Sequence, residues 1–415
     1  MKIIFISIFL IFGLSLQSQN HRVLFLGNSY TSVNGLPQLT ADVAASVGDS
    51  LEFESNTPGS YTLEAHASNS TSLGLIMQGN WDFVILQEQS QRPSLPISQV
   101  EVEVFPYARF LDSLNNVYSP CGETMFYMTW GRKNGDASNC GWWPPVCTYI
   151  GMDSLLHLRY MMMADSNHAV VSPVGAVWRY IRQTYPNIEL YQLDESHPSA
   201  AGTYAAACCF YTAIYQKDPS LITYNSTLDP IEALKIRTAT KLIVYDSLLR
   251  WHLGEYDLTA DFNYTPMGGY TFQFTNLSEN SNGQIWDFGD ETDTTTNPIY
   301  TFPGQGEYNV QLTSFNPCDT IATSQTISIF FPAIDENSSN EDWVVYPNPV
   351  NDKVNLRLNS PDEIAIKIYN LKGEKVLSMD HFIGNKIDVS KLIPGVYFIE
   401  IIKGNDTVTK RIIKN

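Results

Sequence analysis

Positive charge is scarce in this chain. Its 415 residues carry 25 Lys and Arg against 43 Asp and Glu, a formal net charge of −18. A surface of that sign repels phosphate backbones and anionic membrane surfaces, which excludes nucleic acid as a partner. Cysteine is sparse too, at six residues. No CxxC pair or Cys/His cluster offers metal-ligand spacing, so neither a metal nor a cofactor is expected. Long apolar runs are missing, with one exception at the start. There Ile3 to Leu16 follows Lys2 and ends among the small and polar residues Ser15, Gln17 and Ser18. A membrane span needs about 20 apolar residues. The run therefore reads as a secretory leader, residues 1–18, cut near Ser18, and no transmembrane span is expected. Aromatic side chains, by contrast, make up 12% of the chain. That fraction argues against disorder and suits large cores and binding surfaces.

A chain of this length exceeds one ordinary core, so two or three domains are expected. Up to about residue 255, short β-branched runs alternate with helical patterns. RVLFL (22–26), LEFES (51–55), DFVILQ (82–87), TMFYMT (124–129) and HAVVSP (168–173) read as strands. LPQLTADVAASVG and the stretches Ile97 to Leu114 and Ile150 to Ala164 read as helices. Near-continuous apolar strands separated by helices predict an α/β fold with a parallel sheet covered on both faces. Residues 231–253 read as one long closing helix. Of the cysteines, Cys140 and Cys147 bracket GWWPPV and could close a small loop. Cys208 and Cys209 sit in an apolar run and read as buried. Cys121 and Cys318 have no evident partner, and spacing alone assigns no bridge.

The stretch VLFLGNSYT (23–31) runs a strand straight into Gly27-Asn28-Ser29. A glycine permits a sharp turn there. The serine then stands just beyond the strand's carboxyl end, where open α/β sheets bind ligands. A serine hydroxyl needs a base, and the base needs an orienting group. LDESHPSAAGTYAAA supplies both, with Asp194 three residues before His197 at a loop–helix junction. Pro198 suits the first helical turn. The carboxylate at Nδ1 would leave Nε2 free to take the serine proton. Donors for an oxyanion are offered by Gly59, after the second strand, and by the amide of Gln89, past the third.

This combination resembles the SGNH (GDSL-like) hydrolases over residues 22 to about 250. The resemblance implies a three-layer α/β/α sandwich and hydrolysis of ester bonds. It implies Ser29 as nucleophile and first oxyanion donor, in GNS instead of the commoner GDS. Gly59 becomes the second donor, His197 the base and Asp194 its partner. The family's third donor is an Asn in GxND. Aligning QEQS with that motif puts Gln89 there, with Gln87 the competitor. The loop TWGRKNGDASNCGWWPPVCTY follows the fourth strand. Trp130, Arg132, Trp142 and Trp143 in it are candidate substrate-binding residues, since a sugar ring stacks on Trp by its C–H face. His21, His66, His157, His168 and His252 lack suitable neighbours and read as core or surface.

After Tyr256, Thr, Asn, Gly and aromatics rise and short alternating runs appear, a small β-sandwich pattern. IWDFGDETDTTTNPIYTFPGQGEYNVQLT resembles the PKD domain, an immunoglobulin-like sandwich, over residues 256–332. Trp286 and Phe288 alternate into its core, and Gly289-Asp290 make a turn. DENSSNED lies in a linker, 333–342. Residues 343–415, with VYPNPVNDKVNL, IYNLKGEKV and LIPGVYFIEI, resemble the C-terminal sorting domain of type IX secretion. That resemblance implies engagement with the secretion machinery and a place outside the cell or on its surface.

The expectation from the sequence is an exported SGNH-type serine esterase of residues 19–255 acting on O-acylated, above all acetylated, carbohydrate. The alternatives are a lipid esterase and a non-catalytic surface protein that keeps the fold to bind glycan or protein.

Overall fold

The computed structural model describes residues 18–330, 343–358, 363–404 and 406–415. The leader expected at 1–18, save Ser18, and the linker expected at 333–342 lie outside the described residues.

Five strands form the first sheet: β1 (Asn20–Leu26), β2 (Ser50–Asn56), β3 (Phe83–Leu86), β4 (Glu123–Tyr127) and β5 (Val170–Ser172). Their order is β2-β1-β3-β4-β5, and every pairing is parallel. The apolar runs expected as strands are these strands. Residues 23–26 of β1 and all of β3 are buried, as a sheet covered on both faces requires.

The connecting helices are α1 (Ser29–Ser32), α2 (Leu36–Ala45), α3 (Leu63–Ser68), α4 (Ser70–Met77), α5 (Ile97–Glu103), α6 (Phe105–Tyr118), α7 (Tyr149–Asn167), α8 (Val174–Thr184), α9 (Ala200–Tyr215) and α10 (Pro230–Ile243). Helices α2, α8, α9 and α10 pack together in one layer and α3 to α7 in another. Helix α9 is buried from Ala201 to Tyr215, and its small side chains let neighbours approach closely.

The closing helix differs from expectation. Helix α10 stops at Ile243, and Tyr245–Trp251 form a 3₁₀ segment with Ser247 outside helical angles. Trp251 is buried and its Nε1–H donates to the Ile243 carbonyl at 2.7 Å. Burying that indole folds the chain back on itself where a straight helix would carry it into solvent.

From Phe262 onward the described structure is β. A three-stranded sheet, β10-β7-β6, joins β6 (Phe262–Gly268), β7 (Thr271–Asn276) and β10 (Ile299–Thr301). A four-stranded sheet, β12-β11-β8-β9, joins β8 (Gly283–Asp287), β9 (Thr292–Asp293), β11 (Gly306–Phe315) and β12 (Thr320–Ile329). Trp286 and Phe288 are buried, and Phe262 and Phe274 pack on Trp286. Gly289 takes φ +103°, a left-handed turn that suits glycine. Cys121, before β4, is disulfide-bonded to Cys318, in the turn between β11 and β12. That pairing was not evident from spacing.

The chain divides into two compact units. One holds the described residues up to Thr265, with Phe272–Tyr300 and Asn309–Gln325. The other holds Pro266–Thr271, Thr301–Tyr308 and the described residues from Thr326 onward. In the second unit β13 (Trp343–Tyr346), β14 (Lys353–Leu358) and β17 (Lys386–Asp388) form one antiparallel sheet. Strands β15 (Ile364–Asn370), β16 (Lys375–Phe382), β18 (Gly395–Lys403) and β19 (Asp406–Lys414) form another. Alternate residues such as Ile364, Ile366 and Ile368 of β15, and Ile399 and Ile401 of β18, build the core. Gly373, at φ +77°, turns the β15–β16 hairpin. Among the described residues no helix is long and apolar enough to cross a membrane.

Candidate functional site

Strand β1 ends at Leu26, and Gly27-Asn28 carry the chain into α1, whose first residue is Ser29. Asn28 caps that helix. Its Oδ1 accepts from the Tyr30 backbone N–H at 3.1 Å, while its Nδ2 donates to the Tyr61 carbonyl at 2.9 Å. An aspartate could make only the first of these bonds, so the GNS variant ties the serine's turn to the loop that follows β2. Gly27 is needed for a reason other than the sharp turn expected of it. Its φ is not in the left-handed range. A Cβ there would lie 2.4 Å from Thr31 Oγ1 and 2.7 Å from Gln87 Oε1. Close approach, not backbone freedom, requires the glycine.

The D-x-x-H step stands over this turn. His197 Nε2 is 2.8 Å from Ser29 Oγ, and its Nδ1 pairs with Asp194 Oδ2. Asp194 Oδ1 accepts from the backbone N–H groups of His197, at 3.0 Å, and Ser196, at 3.1 Å. Partial burial works to raise the Asp194 pKa, but the bonds from the imidazole and the two backbone amides outweigh it and hold the carboxyl below its ordinary value. The aspartate therefore stays ionised and fixes the imidazole with a proton on Nδ1. Helix α9 starts at Ala200 with Ser199 as its cap. Pro198 thus precedes the cap instead of occupying the first turn.

A buried aromatic column braces both halves. Tyr30 stacks on Trp130 with centroids 4.8 Å apart, and Trp130 stacks on Trp178 at 3.7 Å. The Tyr30 ring meets His197 edge-on at 5.4 Å. Tyr30 Oη shares a hydrogen bond with Ser196 Oγ at 2.6 Å, and Trp130 Nε1–H donates to the Ser196 carbonyl at 3.1 Å. Burial pushes the Tyr30 phenol pKa up, so the group stays neutral. This overturns the substrate-binding expectation for Trp130. It is fully buried, with its faces covered by Tyr30 and Trp178. Sequence reading missed Tyr30 and Ser196, although each adjoins a residue of the expected triad.

Gly59 lies exposed in the turn after β2, with open space where a Cβ would stand. Gln89 follows β3 and is half-buried. Its Oε1 accepts from the backbone N–H of Gln91 at 2.8 Å and of Arg92 at 3.2 Å, and its Nε2 donates to Gln91 Oε1 at 3.1 Å. The carbonyl end is thereby pinned, and one amide N–H has no partner among the described residues. Gln87 is fully buried and its Oε1 accepts from the Asn28 N–H at 2.9 Å. It faces the underside of the serine's turn, away from solvent.

The loop after β4 is bound to the histidine turn: the Lys133 N–H donates to the Glu195 carbonyl at 2.9 Å, and Asn134 Nδ2 to Glu195 Oε2 at 2.8 Å. Within it, Asp136 is fully buried. Gln91 Nε2 donates to both its oxygens, at 2.9 and 2.8 Å, and Arg132 Nη1 lies 3.5 Å from Oδ1. Arg132 is therefore partly engaged in holding the loop. Cys140 and Cys147 are disulfide-bonded, as their spacing allowed. Trp143 is half-buried and donates to the Ser94 carbonyl at 3.0 Å, whereas Trp142 remains 55% exposed. Of the three tryptophans, Trp142 alone leaves most of its face to solvent. Among the described residues no group of His, Cys, Asp and Glu could hold a metal ion.

Comparison with known proteins reaches different parts of the chain. A beta-agarase D of Zobellia galactanivorans is 34% identical over 105 residues, 25% of this chain and 21% of that one. The chain thus spans about a fifth of the length of this curated relative. A DUF4886 family protein from Bacteroides uniformis is similar in structure at 16% identity, with a TM-score of 0.47, over 55% of this chain and 95% of that one. A lipase/acylhydrolase from Enterococcus faecalis is 14% identical, with a TM-score of 0.34, over 47% and 96%. The PKD1 domain of the Vibrio cholerae metalloprotease PrtV is 28% identical, with a TM-score of 0.16, over 17% and 95%. Residues 344–415 match the family model of the secretion system C-terminal sorting domain. The chain therefore carries such a sorting domain at those residues, an address for type IX secretion to the cell surface or the outside.

Proposed function

We propose that this chain is a serine esterase of the SGNH type that removes O-acyl groups, acetyl above all, from carbohydrate outside the cell. The observation that carries the reading is the line Ser29 Oγ, His197 Nε2, His197 Nδ1, Asp194 Oδ2 at the carboxyl end of a parallel sheet. In it Ser29 Oγ attacks the ester carbonyl as its proton passes to His197 Nε2. The ester oxygen leaves with that proton, and an acyl group remains on Ser29. Water then gives a proton to the same nitrogen and attacks the acyl carbon. The carboxylic acid is released and Ser29 recovers its proton. The developing oxyanion is met by the Ser29 backbone N–H, Gly59 and the uncommitted N–H of Gln89. Arg132, Trp142 and Trp143 line the substrate side, with Trp142 the face on which a sugar ring stacks.

Carbohydrate is favoured by that exposed indole and by the match to a protein named for its action on a polysaccharide. In this reading residues 1–18 are the leader, 19–255 the hydrolase and 256–332 a PKD spacer. Residues 333–342 are the linker to the sorting domain at 343–415. The deciding experiment is labelling with a fluorophosphonate, followed by assay of acetate release from acetylated glycans and of p-nitrophenyl palmitate cleavage. An adduct on Ser29 with acetate release is expected. A folded protein with no adduct would instead be a binding protein, and preference for palmitate would make it a lipid esterase.

A further inference from the structure

Two buried residues outside the expected triad touch the serine's turn, the segment after Gly59 and the Gln89 loop. Gln87 and Glu88 follow β3 directly and are both fully buried. Gln87 Oε1 accepts from the Asn28 N–H at 2.9 Å and from Thr31 Oγ1 at 3.0 Å, on either side of Ser29. Its Nε2 donates to the Glu88 carbonyl. The Glu88 carboxyl then accepts from the Leu63 N–H, at 3.2 Å, four residues past Gly59, and from the Gln89 N–H. From the other side His66 Nε2–H donates to the Gly27 carbonyl at 2.9 Å, and Nδ1 accepts from Ser72 Oγ at 2.7 Å. Burial lowers the His66 pKa to about 4, so the ring is neutral and can do both.

We propose that Gln87 and Glu88 are positioning residues for the esterase reaction, a polar hub that holds the serine's turn, the Gly59 loop and the Gln89 loop in one alignment. This rests on the esterase reading above. Polar groups buried this deeply cost stability unless every one is bonded, and an apolar pair would serve the core better. Here the side-chain acceptors are taken up chiefly by backbone N–H groups of the three loops. Among the described residues the additional donor is the Thr31 hydroxyl, on the serine's own helix. Attack and oxyanion capture need the nucleophile and donors fixed to a fraction of an ångström, and a misplacement of about 1 Å can cost about 10²-fold. The hub also accounts for Gly27, because a side chain there would displace Gln87.

The test compares the full chain with Gln87→Met and Glu88→Gln, after thermal unfolding has shown what fraction is folded. Gln87→Met keeps the volume but removes the acceptor for the Asn28 N–H. Its kcat on p-nitrophenyl acetate should fall about 10²-fold, with KM changed less than about twofold. Fluorophosphonate labelling of Ser29 should slow in parallel. Glu88→Gln keeps the shape and one acceptor, so it should lose about tenfold in kcat, again at constant KM. If Gln87→Met fails to fold, Glu88→Gln decides alone. A folded variant with wild-type kcat and labelling rate overturns the positioning role while leaving the esterase reading intact. A wild-type protein that takes no label on Ser29 overturns the esterase reading, and the positioning role with it.

Discussion

At the scale of single residues, the triad makes the sharpest prediction. Ser29→Ala should lose about 10⁴-fold or more in turnover, and His197→Ala nearly as much. The two losses should not add, because the residues act as one unit, and kinetics of the double variant checks this. Tyr30→Phe isolates a smaller effect. It deletes the hydroxyl bonded to Ser196 Oγ and keeps the stack on Trp130. One such bond contributes about 1 kcal/mol net, so kcat should fall about fivefold with the fold unchanged by circular dichroism. Glu88 carries a stability signature independent of catalysis. Burial raises its pKa from 4.5 to about 8. Between those values the folded state holds a proton that the unfolded chain has released, so this contribution is lost as pH rises from about 4.5 to about 8. Urea unfolding of wild type and Glu88→Gln across that range checks the sign. The wild-type advantage should shrink with rising pH, and a growing advantage would mean Glu88 is ionised in the fold.

At the scale of elements, what was legible followed from local pattern. The four strands β1, β3, β4 and β5 centre on apolar runs bounded by turns, the edge strand β2 alternates apolar and polar residues, and their parallel order follows from helices between them. The proximity of Ser29 to the Asp194/His197 step was legible only from the two stretches taken together, since either alone reads equally as an ordinary turn. The buried hub was not. Gln87 and Glu88 look in sequence like solvated residues after a strand, and only Asn28 and Leu63, some 25 to 59 residues away, make them interior. Trp130 misled for the converse reason, since an aromatic in a polar loop gives no sign that Tyr30 and Trp178 will cover it. The Cys121–Cys318 pair is another long-range fact, 197 residues apart in sequence. It lies at the amino end of β4, whereas Ser29 follows the carboxyl end of β1, so the bridge and the site are at opposite ends of a parallel sheet. Replacing both cysteines with serine should therefore lower the thermal midpoint by roughly 5 °C, given a bridge's typical 2–4 kcal/mol, and leave kcat unchanged. A large drop in kcat would show that the two ends of the sheet are coupled.

At the scale of the whole molecule, the question is where chemistry stops and addressing begins. A division by composition alone would cut near Tyr256, where the helices end. The disulfide argues against that cut, because it would leave Cys121 without Cys318. It would also remove Asp257, Asn316 and Asp319 from the cleft they share with His21, Asp82 and Glu123, about 720 Å³ in volume. Glu123 is largely buried there, and burial raises its carboxyl pKa to about 7, with Asp257 adding to the rise. Stripping away the covering strands would rehydrate that carboxyl and expose Phe83 and Ile214 beside it. The sorting domain at 344–415, by contrast, builds its own core from residues such as Val354, Ile366 and Ile399. A chain ending at Phe330 should accordingly cleave p-nitrophenyl acetate at the rate of the full chain but stay with the cells, since it has lost the address. A chain ending at Tyr256 should aggregate or unfold at lower temperature even where some activity survives. Assay of activity in cell and medium fractions, with thermal unfolding of each purified chain, separates the two. Equal stability of the two truncated chains would show that the β strands after Tyr256 contribute nothing to the hydrolase and serve it only as a spacer.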